Sequence, residues 1–139
     1  MKSLKARLPK RPIRIRHSRF VASWQELQGY CKNKATWPQA VMSADKLLDA
    51  ALKKRHFKGK TMGERLVAAQ NSLSDNDMVW TAHNMAKKIM DAPDISLREK
   101  DVKLALIGFR QALKDLGAFS ADYMYSRDMS ATEESTSGK

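Results

Sequence analysis

The sequence predicts an all-α fold, an antiparallel bundle of four to five helices. Three observations lead there. Apolar residues recur at three- and four-residue intervals along several segments, polar cap residues, prolines and glycines punctuate those segments, and no segment alternates for the length of a strand. The 139 residues suit one domain with a single core. The chain divides into a basic extended arm (1–20), a helical bundle (21–119) and a polar tail (120–139) expected to be disordered.

The arm has no helical stripe, and Pro9 and Pro12 interrupt it, so it is expected to stay extended until it meets a partner. Residues 21–32 read as a short helix with Trp24, Leu27 and Cys31 on one side. A long helix is expected over 36–57. Thr36 with Gln39 reads as a capping box, Pro38 fits the first turn, and Trp37, Val41, Ala44, Leu48, Ala51 and Leu52 make the buried stripe. Residues 58–60 form a glycine-containing turn. Thr61 and Glu64 then cap a helix over 62–73, with Leu66, Ala69 and Leu73 inward. The text KGKTMGE lacks the spacing of a phosphate-binding loop and has no strand before it.

The polar run 74–77 opens a central amphipathic helix that Pro93 stops. Val79, Ala82, Ala86 and Ile89 form its apolar stripe, and Trp80, His83, Lys87 and Asp91 an adjacent one. Lys87 and Asp91 suit an i,i+4 ion pair on a solvated face, worth a few tenths of a kcal/mol. Ser96 and Glu99 read as a further capping box for a helix over 97–116. Val102, Ala105, Leu106, Phe109, Leu113 and Leu116 point inward there, and Gly117 is the C-terminal cap. Tyr123 and Tyr125 are candidates for docking locally.

Charge is uneven. Of the net +11, residues 1–20 carry +8, residues 21–119 carry +5 and residues 120–139 carry −2. Lys5, Arg7, Lys10, Arg11, Arg14, Arg16 and Arg19 line the arm. Lys53, Lys54, Arg55, Lys58 and Lys60, with His56 among them, crowd the end of the first long helix. Cations there complement the helix dipole, but this cluster exceeds what capping requires. Such a distribution favours a polyanionic partner, because Lys and Arg gain affinity by releasing counterions from phosphates. A solubilising tail is the plainer alternative for the arm.

A lone Cys31 excludes an internal disulfide and a multi-cysteine metal site, and it reads as a packed thiol. No run approaches the roughly 18–20 apolar residues that span a bilayer, so no membrane insertion is expected. No apolar segment follows the basic N-terminus, which argues against a secretory signal. A mitochondrial transit peptide is an alternative that two prolines and a low serine content in the arm disfavour. A reducing cytoplasm is the expected setting.

The central helix reads WTAHNMAKKIMDAP, in which Trp80, Ala82, His83, Ile89 and Pro93 match the frame of a family text of the type W-x-A-H-x-x-R-N-x-I-x-H-E-P. In that frame, and in the downstream EKDVKLALIGFRQALKDLGAF, residues 37–119 resemble the small bacterial members of the HEPN superfamily (higher eukaryotes and prokaryotes nucleotide-binding domains). The resemblance implies a four-helix domain that commonly dimerises. It also implies metal-free RNA cleavage by an Arg and a His spaced R-x4-6-H, supported by a polar residue. At those positions the chain has Ala86 for the Arg, Lys87 for the polar Asn and Asp91 for the His. Ala92 replaces the usual Glu. An alanine cannot neutralise a phosphate, and an aspartate is a poor acid at neutral pH. Arg11 and His17 match the spacing numerically but lie in the arm.

Loss of the catalytic set within an intact frame points to a degenerate copy. The expected function is a non-enzymatic RNA-binding module with no catalytic residue, no cofactor and no metal, and folded RNA such as ribosomal RNA as its partner. Two alternatives stand beside it. One is a metal-independent ribonuclease of toxin type, in which His83 or a lysine replaces the missing pair. The other is a dimerising, antitoxin-like interaction module that uses an exposed Trp80, His83, Lys87 stripe.

Overall fold

The computed structural model describes residues 17–120 and Tyr123. Five α-helices form among them: α1 (His17–Gln28), α2 (Trp37–Lys54), α3 (Met62–Ala68), α4 (Asn76–Asp91) and α5 (Glu99–Asp115). Short 3-10 turns over Gly29–Lys32, Lys34–Thr36 and Gln70–Ser72 join them, and no strand occurs among the described residues. The all-α antiparallel bundle expected from the sequence is the architecture. Of the arm, residues 1–16 lie outside the described residues, as does the tail apart from Ser120 and Tyr123.

α2, α4 and α5 pack on one another, and α1 and α3 lie against α2. α2 is therefore the central element. Its Ala40, Val41, Ala44, Leu48, Ala51 and Leu52 are all fully buried. Each buried Val or Leu side chain contributes about 1.5–3 kcal/mol of transfer free energy. From α4, Val79, Ala82, Ala86 and Ile89 enter the same core, and from α5 Val102, Ala105, Phe109, Ala112 and Leu113 do so.

Several local expectations give way to packing. α1 begins at His17, four residues before the predicted start, because Phe20 is one turn ahead of Trp24 and is buried with Trp24 and Leu27. The segment His17–Phe20, Arg19 included, is therefore helix and not extended arm. α1 also stops early, at Gln28, where the chain tightens through Gly29.

Thr36 does not form its predicted capping box. Its hydroxyl faces the carbonyl oxygens of Tyr30 at 2.7 Å and Asn33 at 3.0 Å, stitching the α1–α2 connection. Trp37 is half-buried, with Nε1 donating to the Cys31 carbonyl at 3.0 Å. The Ser96–Glu99 box is also absent. α5 starts at Glu99 after Arg98, which makes no side-chain cap, while Leu97 packs against the core.

Other signals hold. Thr61 Oγ1 accepts from Glu64 N–H at 3.1 Å, and Glu64 Oε1 accepts from Lys60 N–H at 2.7 Å, a near-reciprocal box. α3 ends at Ala68, short of the predicted 73, but Leu66, Ala69 and Leu73 are buried as expected. Asp75 caps α4 by accepting from Met78 N–H at 3.0 Å. Tyr123 docks edge-on against Phe119 with centroids 5.3 Å apart, and Tyr125 lies outside the described residues.

α4 and α5 approach each other closely at Gly108. A Cβ there would sit 2.9 Å from the Met78 carbonyl oxygen and 3.0 Å from its Cγ. Gly108→Ala is expected to cost about 1–3 kcal/mol by overpacking, whereas Gly29→Ala, with nothing within 4 Å, is expected to be neutral or slightly stabilising. Urea denaturation of both variants measures this, and equal midpoints would contradict it.

Candidate nucleic-acid interface

α5 ends in a Schellman motif. Gly117 adopts φ +77°, its N–H reaches the Lys114 carbonyl at 3.0 Å, and Ala118 N–H reaches the Leu113 carbonyl at 2.9 Å. The last carbonyls of the helix still need donors. Arg55 Nη1 donates to the Leu116 oxygen at 2.7 Å, and His17 Nε2 donates to the Gly117 oxygen at 3.0 Å. Two consecutive carbonyls thus join the end of α2 and the start of α1 to the end of α5. His17, the first described residue, is thereby held at the same helix end as Arg55, which follows α2 and belongs to the 53–60 cluster.

Within the cluster the side chains divide. Lys54, Lys58 and Lys60 are exposed and make no ion pair among the described residues. Lys53 lies 3.6 Å from Asp49, with 61% of its side chain exposed. Asp49 is already engaged by Arg65, whose Nε and Nη2 donate to its two carboxylate oxygens at 2.7 and 2.9 Å. Those hydrogen bonds hold the Arg65 guanidinium pKa above its usual value. Arg55 is half-buried, lies over the Phe57 ring at 5.7 Å and is committed to Leu116, so it acts as a tie within the fold. Arg19 is exposed on α1 near the same end.

The backbone under the cluster is fixed. α2 closes with a second Schellman motif, in which Phe57 N–H reaches the Leu52 carbonyl at 3.1 Å and His56 N–H reaches the Lys53 carbonyl at 2.9 Å. His56 sits in the left-handed region at φ +63°. Beyond it, Arg65 Nη1 donates to the Gly59 carbonyl at 2.8 Å. Gly59 passes so close to Glu64 that a Cβ would meet its Cβ at 2.7 Å. The lysines therefore project from an ordered turn. That arrangement can bind phosphates electrostatically.

The central-helix positions are placed differently. His83 is buried, and its Nδ1–H donates to Asp45 Oδ1 at 2.8 Å across α4 and α2, with Trp80 edge-on at 5.9 Å. Ala86 is buried in the core. Lys87 and Asp91 are both exposed and form no ion pair with each other. The stripe of Trp80, His83 and Lys87 is thus not an exposed surface, because Trp80 packs over Gly63 of α3 and His83 points inward. His83 meets α2 through Asp45 and Ala86 is buried in the core, while Lys87 and Asp91 face solvent, so the four family-frame positions do not converge. An aspartate orienting a histidine is an arrangement used for proton transfer, but this pair is closed off by packing.

Sequence reasoning missed Asp45 and Arg65. Asp45 interrupts the apolar stripe of α2 next to Ala44, which is the single local signal of a buried polar contact. Arg65 had none, since its partner lies 16 positions away on another helix.

Cys31 is half-buried, and burial pushes its thiol pKa up. Among the described residues no group of three or more His, Cys, Asp or Glu is placed to hold a metal ion, and no helix is long and apolar enough to cross a membrane. Comparison with protein-family models, with curated proteins and with solved structures returns no match.

Removing Asp45 strands a buried imidazole N–H, so Asp45→Ala is expected to cost about 1–3 kcal/mol. Asp45→Leu combined with His83→Leu should cost less than the sum of the single changes. Strict additivity in urea denaturation would show that the pair is not coupled. Raised by burial, the Cys31 thiol should also alkylate more slowly at pH 8 in the native protein than in urea. Its rate should keep rising past the pH at which the unfolded thiol has levelled off. Superimposable rate–pH profiles would contradict the shift.

Proposed function

We propose that the chain is a non-enzymatic RNA-binding module. Its binding surface is the basic end of the bundle, with Arg19, Lys53, Lys54, Lys58 and Lys60, together with the basic residues 1–16 that precede His17 in the chain. The observation that carries this is the pair of ties onto the α5 C-terminus, Arg55 to Leu116 and His17 to Gly117, which hold His17 at the same helix end as Arg55 of the cluster. Lys5, Arg7, Lys10, Arg11, Arg14 and Arg16 would then extend one continuous cationic surface. Phosphate contacts of this kind give affinity and position without sequence readout. A folded RNA such as ribosomal RNA, with its closely spaced phosphates, suits an arm interrupted by prolines.

The resemblance to HEPN domains supports the same conclusion. The frame of Trp80, His83, Ile89 and Pro93 is kept, yet Ala86 and Asp91 stand in the catalytic places and His83 is engaged with Asp45. The ribonuclease alternative needs His83 or a lysine at a reaction centre, and burial of His83 disfavours its first form.

Deleting residues 1–16 is expected to weaken RNA binding. It should also flatten the dependence of log K on log salt by up to about 5, at roughly 0.7 per phosphate contact on single strands. Filter binding across a salt series measures both. Unchanged affinity and slope would remove the arm from the interface. Cleavage of RNA by the purified protein that His83→Ala abolishes would replace this function with the enzymatic one.

A further inference from the structure

His56 occupies the one position in the basic cluster where the backbone disfavours its presence. The C′ residue of a Schellman motif must be left-handed, and glycine is the usual occupant because it has no Cβ to clash. α5 follows that rule with Gly117, while α2 places His56 there at φ +63°. Asn or Asp would also tolerate the conformation more cheaply.

The fold gains nothing visible in return. His56 is exposed, and its side chain makes no hydrogen bond, ion pair or ring contact with the described residues. The helix dipole needs no further cation here, since Lys53 and Lys54 occupy the last turn and Arg55 follows them. Strain retained at an exposed, unpartnered side chain points to a task outside the fold.

The surroundings indicate the task. Four exposed lysines lie within four residues of His56: Lys53, Lys54, Lys58 and Lys60. The neighbouring ring, Phe57, is half-buried and covered by the Arg55 guanidinium. His56 is thus the exposed aromatic ring of a patch suited to phosphates. Rings set among cations bind nucleic acid by stacking on bases, and bases offer their faces only where the strand is unpaired.

We propose that His56 is a nucleobase-contacting residue, held out by the left-handed turn to stack on an unpaired base of an RNA whose phosphates the surrounding lysines hold. This rests on the RNA-binding function above and adds its ligand class, a single strand, loop or bulge.

The test joins stability to binding with the full chain and labelled single-stranded oligouridine as probe, set against the same RNA annealed to its complement. His56→Gly relieves the strain and is expected to raise Tm by about 3 °C, while weakening single-strand binding about 5-fold or more. The salt slope should be unchanged, because no phosphate contact is lost. His56→Phe, which keeps a ring, should hold the affinity within about 2-fold of the original. His56→Asn, which suits the turn but lacks a ring, should bind as weakly as His56→Gly. The duplex should show no difference among the three variants. Equal single-strand affinity for the original chain and His56→Gly, or a His56→Phe as weak as His56→Gly, would overturn the role of His56 alone. No salt-dependent binding of either RNA by the unaltered chain would overturn the RNA-binding function with it.

Discussion

The free carbonyl oxygens at the C-terminal end of α5 set the organisation of the basic end. A helix terminus leaves acceptors that must be met. Here Leu116 and Gly117 are met by side chains from two other helices, Arg55 after α2 and His17 at the start of α1. A guanidinium at a helix C-terminus gains from both the hydrogen bond and the dipole. Because the donors are long-range, the ties fix tertiary arrangement as well as local geometry. The root of the arm, the end of α2 and the end of α5 are held at one place, and the lysines beyond Arg55 are held with them.

The interior explains why the family-like helix contributes architecture. α4 turns Val79, Ala82, Ala86 and Ile89 into the core. His83 lies on the same inward side and meets Asp45, so each buried polar group satisfies the other. Removing one partner leaves a stranded polar atom, whereas replacing both with apolar groups relieves it. This behaviour belongs to a core contact, and it leaves the exposed Lys87 and Asp91 on a separate solvated surface.

The bundle was legible in the sequence because helical periodicity reports burial directly. The apolar spacing marks the stripes of α2, α4 and α5 residue by residue, and the residue type of Gly117 marks the cap. Boundaries were less legible where a local signal competed with a long-range one. Ser96 and Glu99 have the spacing of a capping box, but packing of Leu97 delays the start of α5. The arm's basic composition hid the fact that Phe20 belongs to the core. At the site, the lysine cluster was visible as a charge run. The conversion of Arg55 into a tie, the Asp49–Arg65 pair and the left-handed His56 all depend on residues distant in sequence or on backbone geometry, which composition does not encode.

The ties onto α5 hold His17 and Arg55 at one helix end, and the proposed RNA surface joins the basic residues that precede His17 in the chain to the lysine turn. Ultraviolet crosslinking of the full chain to labelled RNA, followed by mass spectrometry of the attached peptides, tests it most directly. The account predicts nucleotide adducts on peptides from residues 1–19 and from residues 53–60 in the same complex. Adducts confined to the α4–α5 face, around Lys88 and Arg98, with none on either basic segment, would contradict it.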